Sequence, residues 1–142
     1  MVNTGTEVIG SLGSIAGLVG RVNAGITTIT GQHEDKGSLY NSANVTGAAA
    51  YVSGGIAYHA QDMSTAANAT NTGVIKAEYE TAGDAYTGGI IGLSEDSVTI
   101  GGVVSNTGNV SAKNAGSTVY QSYVGGIAGR IVDKLTQTGT GN

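Results

Sequence analysis

Tyr123-Val124-Gly125-Gly126-Ile127-Ala128-Gly129-Arg130-Ile131 decides the fold of this 142-residue chain, because the phrase occurs four times. Its other forms are Ile15-Ala16-Gly17-Leu18-Val19-Gly20-Arg21-Val22, Tyr51-Val52-Ser53-Gly54-Gly55-Ile56-Ala57-Tyr58 and Tyr86-Thr87-Gly88-Gly89-Ile90-Ile91-Gly92-Leu93. The glycines at 17, 55, 89 and 126 lie 38, 34 and 37 residues apart. A second phrase, Asn-Thr-Gly or a relative, begins at Asn3, Asn41, Asn71 and Asn106, at intervals of 38, 30 and 35. Gln137-Thr138-Gly139 reads as the start of a fifth copy. Two phrases that keep step define a repeat architecture. The repeats run over 3–40, 41–70, 71–105 and 106–136, within one domain spanning 1–142.

Between the phrases lie short runs rich in Val, Ile and Thr. Gly25-Ile26-Thr27-Thr28-Ile29-Thr30 and Ser97-Val98-Thr99-Ile100 are examples. In Val74-Ile75-Lys76-Ala77-Glu78-Tyr79-Glu80 apolar and charged residues alternate, as in a strand with one wet face. Such strands, with glycine or asparagine at the corners, predict an all-β fold: a parallel β-solenoid. One coil cannot bury its inner face alone, and stacking coils buries a continuous core. Glycine suits corners where φ is positive or the next coil passes close, and asparagine tolerates the left-handed region and can bond its own backbone at a turn. The chain has no proline, which would delete ladder hydrogen bonds. A repeat of about 35 residues suggests two coils, so roughly eight coils and a rod roughly 35–40 Å long. The rival folds are a β-sandwich, which needs no phased repeat, and a helical repeat, which the frequent glycines oppose.

Composition narrows the function. Charged residues are 11% of the chain and the net charge is -4, too balanced for ordinary disorder and the wrong sign for nucleic acid or an anionic membrane. No run of apolar residues is long enough to span a bilayer, so membrane insertion is not expected. Val8 to Val19 is broken by Gly10 and Gly13 and lacks a basic region before it, so no segment reads as a signal peptide. There is no cysteine, which excludes disulfides and thiolate chemistry.

The tetrads Gly17-Leu18-Val19-Gly20, Gly89-Ile90-Ile91-Gly92 and Gly126-Ile127-Ala128-Gly129 resemble the GLUG motif, Gly-Leu-hydrophobic-Gly. That repeat recurs in bacterial surface proteins, including adhesins of the filamentous-haemagglutinin type and the large zinc proteases that cleave immunoglobulin A. The second copy, Gly55-Ile56-Ala57-Tyr58, ends in tyrosine, and three of the four copies carry isoleucine for leucine. The resemblance covers nearly the whole chain. It implies an exported bacterial protein, at the cell surface or secreted, with a solenoid stalk. It implies no catalytic residue, because the motif carries none. The repeat anchors are Gly17, Gly20, Gly54, Gly55, Gly88, Gly89, Gly92, Gly125, Gly126 and Gly129.

His33-Glu34 begins like the zinc-protease signature His-Glu-x-x-His, but Gly37 stands where the second histidine belongs. With His59 the only other histidine, a zinc site is not expected. The acidic groups are Glu34-Asp35, Glu78 with Glu80 and Asp84, and Glu95-Asp96. They read as solvated surface, with a weakly held calcium ion between neighbouring loops the one cofactor they allow for. Thr27-Thr28-Ile29-Thr30 offers a threonine ladder of the kind that flat solenoid faces present to ice, but only Thr99 echoes it. Tyr51, Tyr86 and Tyr123 precede the Gly-Gly pair at matched positions; they read first as caps on the core edge below each glycine corner, and otherwise as a ladder that a sugar ring could stack on. Arg21 and Arg130 share a phase that Tyr58 and Leu93 hold in between.

The chain is therefore expected to be a non-enzymatic structural or adhesive module, a stiff stalk or a self-associating rod. Surface contacts are expected at His33, Glu34, Asp35, Tyr51, Tyr86 and Tyr123, with the loops Gly31 to Gly37 and Gln61 to Ser64 on display. The partner would be a host or self protein or a glycan; the ends are in phase, so either the sequence belongs to a longer array or copies stack end to end as a homo-oligomer. The alternative is a glycan-binding or glycan-cleaving solenoid.

Overall fold

The structure is a computed structural model; it describes residues 2–10, 13–21, 27–29, 39–47, 50–60, 63–65, 68–79, 84–114 and 121–139. These residues form twenty strands and no helix. No helix among them is long and apolar enough to cross a membrane. The first repeat supplies β1 (Val2–Asn3), β2 (Glu7–Gly10), β3 (Gly13–Ala16), β4 (Val19–Arg21) and β5 (Thr27–Ile29). The second supplies β6 (Leu39–Asn41), β7 (Asn44–Gly47), β8 (Ala50–Gly54), β9 (Ala57–Ala60) and β10 (Met63–Thr65). The third gives β11 (Ala69–Asn71), β12 (Ile75–Tyr79), β13 (Ala85–Gly88), β14 (Ile91–Ser94) and β15 (Val98–Ile100). The fourth gives β16 (Val104–Asn106), β17 (Val110–Asn114), β18 (Ser122–Gly125), β19 (Ala128–Ile131) and β20 (Leu135–Gln137).

The strands make five sheets of four, each taking one strand from each repeat in chain order: β1-β6-β11-β16 is the first, and the others follow the same rule. Every pairing is parallel. The chain is thus all-β and parallel, an arrangement compatible with a β-solenoid. The expected two coils per repeat are overturned. A repeat visits each sheet once, because its strands are only two to five residues long and five of them with their bends consume the whole repeat. Four strands per sheet span about 15 Å along the stacking direction, not the 35–40 Å expected.

Burial follows the two-residue period of a strand. Along β12 Ile75 and Ala77 are buried, while Lys76 is exposed between them. Parallel register then stacks like on like. Val8, Val45, Ile75 and Val110 occupy one position in four successive strands and form one apolar cluster. The main core holds Leu39, Ile56, Ala69, Ile90, Ile91, Val98 and Ile100, with Leu18, Val19, Val104, Ile127, Ala128 and Leu135 packed against it. The fully buried members come from the two middle repeats, since the outer repeats have a neighbour on one side only.

The repeated glycines sit where strands crowd. A Cβ at Gly17 would overlap the Gly55 carbonyl oxygen, one at Gly55 the Gly89 oxygen, and one at Gly89 the Gly126 oxygen. No left-handed φ occurs at these positions, so the close approach of the next repeat is what demands glycine. Beside this column runs a ladder of asparagines. Asn41 Nδ2 donates to Asn71 Oδ1, and Asn71 Nδ2 to Asn106 Oδ1, both at 2.7 Å. Each Nδ2 also donates to the carbonyl two residues on: Asn41 to Ala43, Asn71 to Gly73 and Asn106 to Gly108. Asn41 and Asn71 are wholly buried. The asparagines therefore bond their own backbone two residues on, one of the two roles expected of them, but they do so from strand ends that face the interior. Asn3 turns away from the ladder, its Nδ2 donating to Gly17 O, and leaves Asn41 Oδ1 buried without a partner.

Register corrects two further expectations. Gln137 pairs with Ile100, and Thr138 N donates to Ile100 O, so Gln137-Thr138-Gly139 continues the Ile100-Gly101-Gly102 column and does not begin a fifth Asn-Thr-Gly. Met63 and Ser64 belong to β10, paired on both sides, and are not part of a display loop. The Gly31 to Gly37 loop, with His33, Glu34 and Asp35, lies outside the described residues. Its length shows in the spacing of the strands. Residues 30–38 separate β5 from β6, whereas only 66–68 separate β10 from β11.

Candidate functional site

Two surfaces of the stack carry chemistry or unmet packing: an outward face around Tyr86 and Tyr123, and the open faces of the first and fourth repeats. Strand alternation builds the first. In β13 Ala85 and Thr87 are buried, which turns Tyr86 outward, and Tyr123 pairs with Tyr86 in the next strand. The two rings stack with centroids 5.2 Å apart and planes 21° from parallel, close to the spacing of neighbouring strands. Arg130, exposed on β19, lays its guanidinium carbon 5.6 Å from the Tyr86 centroid and 5.7 Å from that of Tyr123. Its Nη1 donates to Tyr86 Oη at 3.1 Å. Tyr123 Oη in turn donates to Gln121 Oε1 at 2.7 Å, and Gln121 N donates to Asp84 Oδ1 at 3.0 Å. A cation held by two ring faces and a hydroxyl is pre-organised, and a guanidinium presents a planar fork of donors to an oxyanion.

Tyr51 does not extend this pair. Val52, not Tyr51, is the register partner of Tyr86. Against β3 the pairing jumps from Gly13–Ala50 to Ser14–Val52, so Tyr51 is the extra residue of a bulge. One residue of slip moves a side chain's position to the other face of a sheet. The Arg21 and Arg130 phase is likewise held by His59 in the second repeat, not Tyr58, with Leu93 in the third.

The hydroxyl ladder is fuller than the sequence suggests. Thr28, Ser64, Thr99 and Thr136 align in one sheet, in all four repeats. The neighbouring sheet aligns Tyr40, Thr70 and Ser105. There Tyr40 interrupts the flat array, its hydroxyl 3.3 Å from Thr72 Oγ1.

Of the described carboxylates, Glu7 and Glu78 share a sheet but lie two strands apart, and Glu95, Asp96 and Asp133 lie at bends between strands. Thr46 Oγ1 donates to Glu7 at 3.1 Å and Ser97 Oγ to Asp133 at 2.6 Å, each across a repeat boundary. Glu95 and Asp96 are exposed at a bend. Among the described residues no three histidine or carboxylate groups come together to hold a metal ion. Lys76 Nζ lies 2.7 Å from Glu78 Oε1. The hydrogen bond and charge of Lys76, with a smaller contribution from Lys113 on the next strand, hold the Glu78 carboxyl below its ordinary value. A lowered carboxyl stabilises the fold above the unfolded pKa and loses that contribution as pH falls through the folded pKa. Solvent screening keeps it small. Glu78→Gln should therefore lower the melting temperature slightly at neutral pH, and the gap to wild type should close in acid. A gap that widens in acid would contradict the assignment.

The open faces are defined by contrast with the middle of the stack. Ile90, Ile91 and Val98 are fully buried, whereas Ile127, Ala128 and Leu135, one repeat on, are only half-buried. Thr87 is wholly buried, and Val124 beside it is 46% exposed. On the opposite face Val8, Leu18 and Val19 are half-buried. The sequence did not reveal the asparagine ladder or the Arg130 contact. The signal for the first was an asparagine recurring one residue after an apolar inward position's polar neighbour: Leu39-Tyr40-Asn41, Ala69-Thr70-Asn71 and Val104-Ser105-Asn106. Comparison of the chain with protein-family models, curated proteins and solved structures found no match.

Proposed function

We propose that the chain is a structural and adhesive module of a bacterial cell-surface or secreted protein, built as a parallel β-solenoid in which each of four repeats makes one turn. The observation that carries this reading is the sheet order, in which each sheet gains one strand from each repeat. Aliphatic and glycine columns then run through the stack, and an asparagine column joins Asn41, Asn71 and Asn106. Such a body resists bending, because each repeat is packed against its neighbours along the stack. It presents side chains at fixed intervals. The resemblance of the glycine tetrads to the GLUG motif supports placement outside the cell. The module would take part in no reaction of its own. Incubated with a panel of polysaccharides it should release no reducing ends, and release of product would sink the non-catalytic reading. In intact cells of its source, protease added from outside should remove the protein.

The stacked Tyr86 and Tyr123 with Arg130 favour a second reading, a glycan-binding face for sugars that bear a carboxylate or sulfate. The ring edges would meet the apolar side of a sugar and the guanidinium its anion. On an array of neutral and acidic glycans, retention should be confined to acidic ones and be lost in Arg130→Ala. Equal retention of both variants would dismiss this face as the contact.

A further inference from the structure

We infer that the open face of the fourth repeat binds the open face of the first repeat of a second copy, so that copies of this chain stack head to tail. The inference rests on the solenoid reading above and names its partner. Four strands per sheet give one copy a height of about 15 Å along the stacking direction.

The interior of the chain shows what such a joint looks like, because it holds three already. Across each one a glycine faces the carbonyl of the next glycine: Gly17 to Gly55, Gly55 to Gly89, Gly89 to Gly126. Gly126 is next in the series, and nothing lies within 4 Å of where its Cβ would be. The cradle is formed and unfilled. Asn106 stands in the same condition. Asn41 and Asn71 each donate one Nδ2 hydrogen to a carbonyl two residues on and the other to the next asparagine. Asn106 makes the first of these bonds, to Gly108 O at 2.9 Å, and its second direction opens on the face. On the opposite face Asn3 Oδ1, which accepts from Gly5 N at 3.0 Å, is the acceptor at that phase. Half-buried aliphatics border both faces, Val104, Val110, Ile127, Ala128 and Leu135 on one and Val8, Leu18 and Val19 on the other. In register they would continue the interior columns, and β16 to β20 would pair their outer edges with those of β1 to β5 of the next copy. The two faces differ, so the contact is heterologous and grows without closing.

The register also fixes a repulsion. Arg130 would fall beside the position of Arg21 in the next copy, and each copy carries a net charge of -4. Both terms are screened by salt, so sodium chloride should promote stacking.

Sedimentation velocity of the 142-residue chain over a wide concentration range should show an open series of species that lengthens with protein and with salt. Gly126→Ala puts a methyl group where the next copy's carbonyl must sit, yet meets nothing in its own chain. It should keep the wild-type circular dichroism and raise the concentration for half-assembly by about tenfold or more. Its first-repeat face is untouched, so substoichiometric Gly126→Ala should terminate and shorten wild-type assemblies. A wild-type chain that stays monomeric, a dimer that stops growing, or a variant that assembles like wild type would each overturn the proposal. If those chains still melt cooperatively with a β-sheet spectrum, only the stacking has failed. A spectrum without β-structure would instead remove the solenoid reading beneath it.

Discussion

Gly55→Ala should destabilise the protein by about 3 kcal/mol or more, whereas Gly126→Ala should cost nothing and can add a few tenths of a kcal/mol. The two substitutions add the same methyl group at the same phase of the repeat, so intrinsic propensity cannot separate them. Alanine restricts the unfolded chain equally at both sites, which by itself is stabilising. What differs is the neighbour. At Gly55 the new Cβ would overlap the Gly89 carbonyl oxygen and lie 2.6 Å from the Cγ and Oδ1 of Asn71. Neither group can yield cheaply. The Gly89 backbone is tied by its own N–H to Gly125 O at 3.2 Å, and Asn71 is held in the amide ladder. The strand must move off its partner, and the cost spreads into the Ile56 and Ile90 column on the adjoining residues. At Gly126 the space is open. Urea denaturation at low protein concentration, where assembly does not contribute, measures both. Equal effects at the two sites would mean that the glycine column does not mark close approach between successive repeats.

The same column explains what the sequence could disclose and what it could not. Phase was legible, because a body that repeats in space must repeat in its chain: glycine recurs at 17, 55, 89 and 126, and each recurrence is a steric demand. The inward aliphatics were legible for the same reason, as Ile56, Ile90 and Ile127 occupy one column. The number of turns per repeat was not, since a strand pattern gives the side chains' period and says nothing of how many bends close a circuit. Tyr51 falls outside the column because it stands three residues before Gly54, where Tyr86 and Tyr123 stand two before Gly88 and Gly125, so that Val52 holds the matching position. Asn71 was misread for a deeper reason. Asparagine is mostly a surface and turn residue, and here its burial is made tolerable by its own backbone and by partners of the same type in neighbouring repeats. That condition appears when repeats are laid side by side in register, with Asn41, Asn71 and Asn106 aligned, and never along the chain. The sequence offers Tyr86 and Tyr123 only as caps on the core edge or as members of a ladder with Tyr51, and the arginine over them comes from the strand after the corner and is invisible until the corner is folded.

Asn71→Ala should cost about 3–4 kcal/mol, more than its volume alone predicts. The side chain is wholly buried and makes three hydrogen bonds: it donates to Gly73 O and to Asn106 Oδ1, and accepts from Asn41 Nδ2. Truncation leaves two acceptors and one donor in a dry interior, each of which costs free energy when unpartnered. Asn71→Asp tests the same ladder with almost no change of shape. The substituted side chain can still accept from Asn41, but ionised it offers no hydrogen to Gly73 O or Asn106 Oδ1 and places a charge against two acceptors. Burial and those acceptors both disfavour the charged form, so its folded pKa must rise above the unfolded value of about 3.9. A raised carboxyl pKa makes the sign opposite to that at Glu78. The variant is closest to wild type below the unfolded pKa, where the protonated acid donates one of the two lost bonds, and falls away as pH rises through the folded pKa. Denaturant titrations of wild type, Asn71→Ala and Asn71→Asp at neutral and acid pH separate the outcomes. Asn71→Ala should be weak at both, apart from the acid response it shares with wild type, and Asn71→Asp should recover towards wild type only in acid. An alanine variant within about 1 kcal/mol of wild type, or an aspartate variant indifferent to pH, would show that the ladder is not a buried, mutually satisfied column.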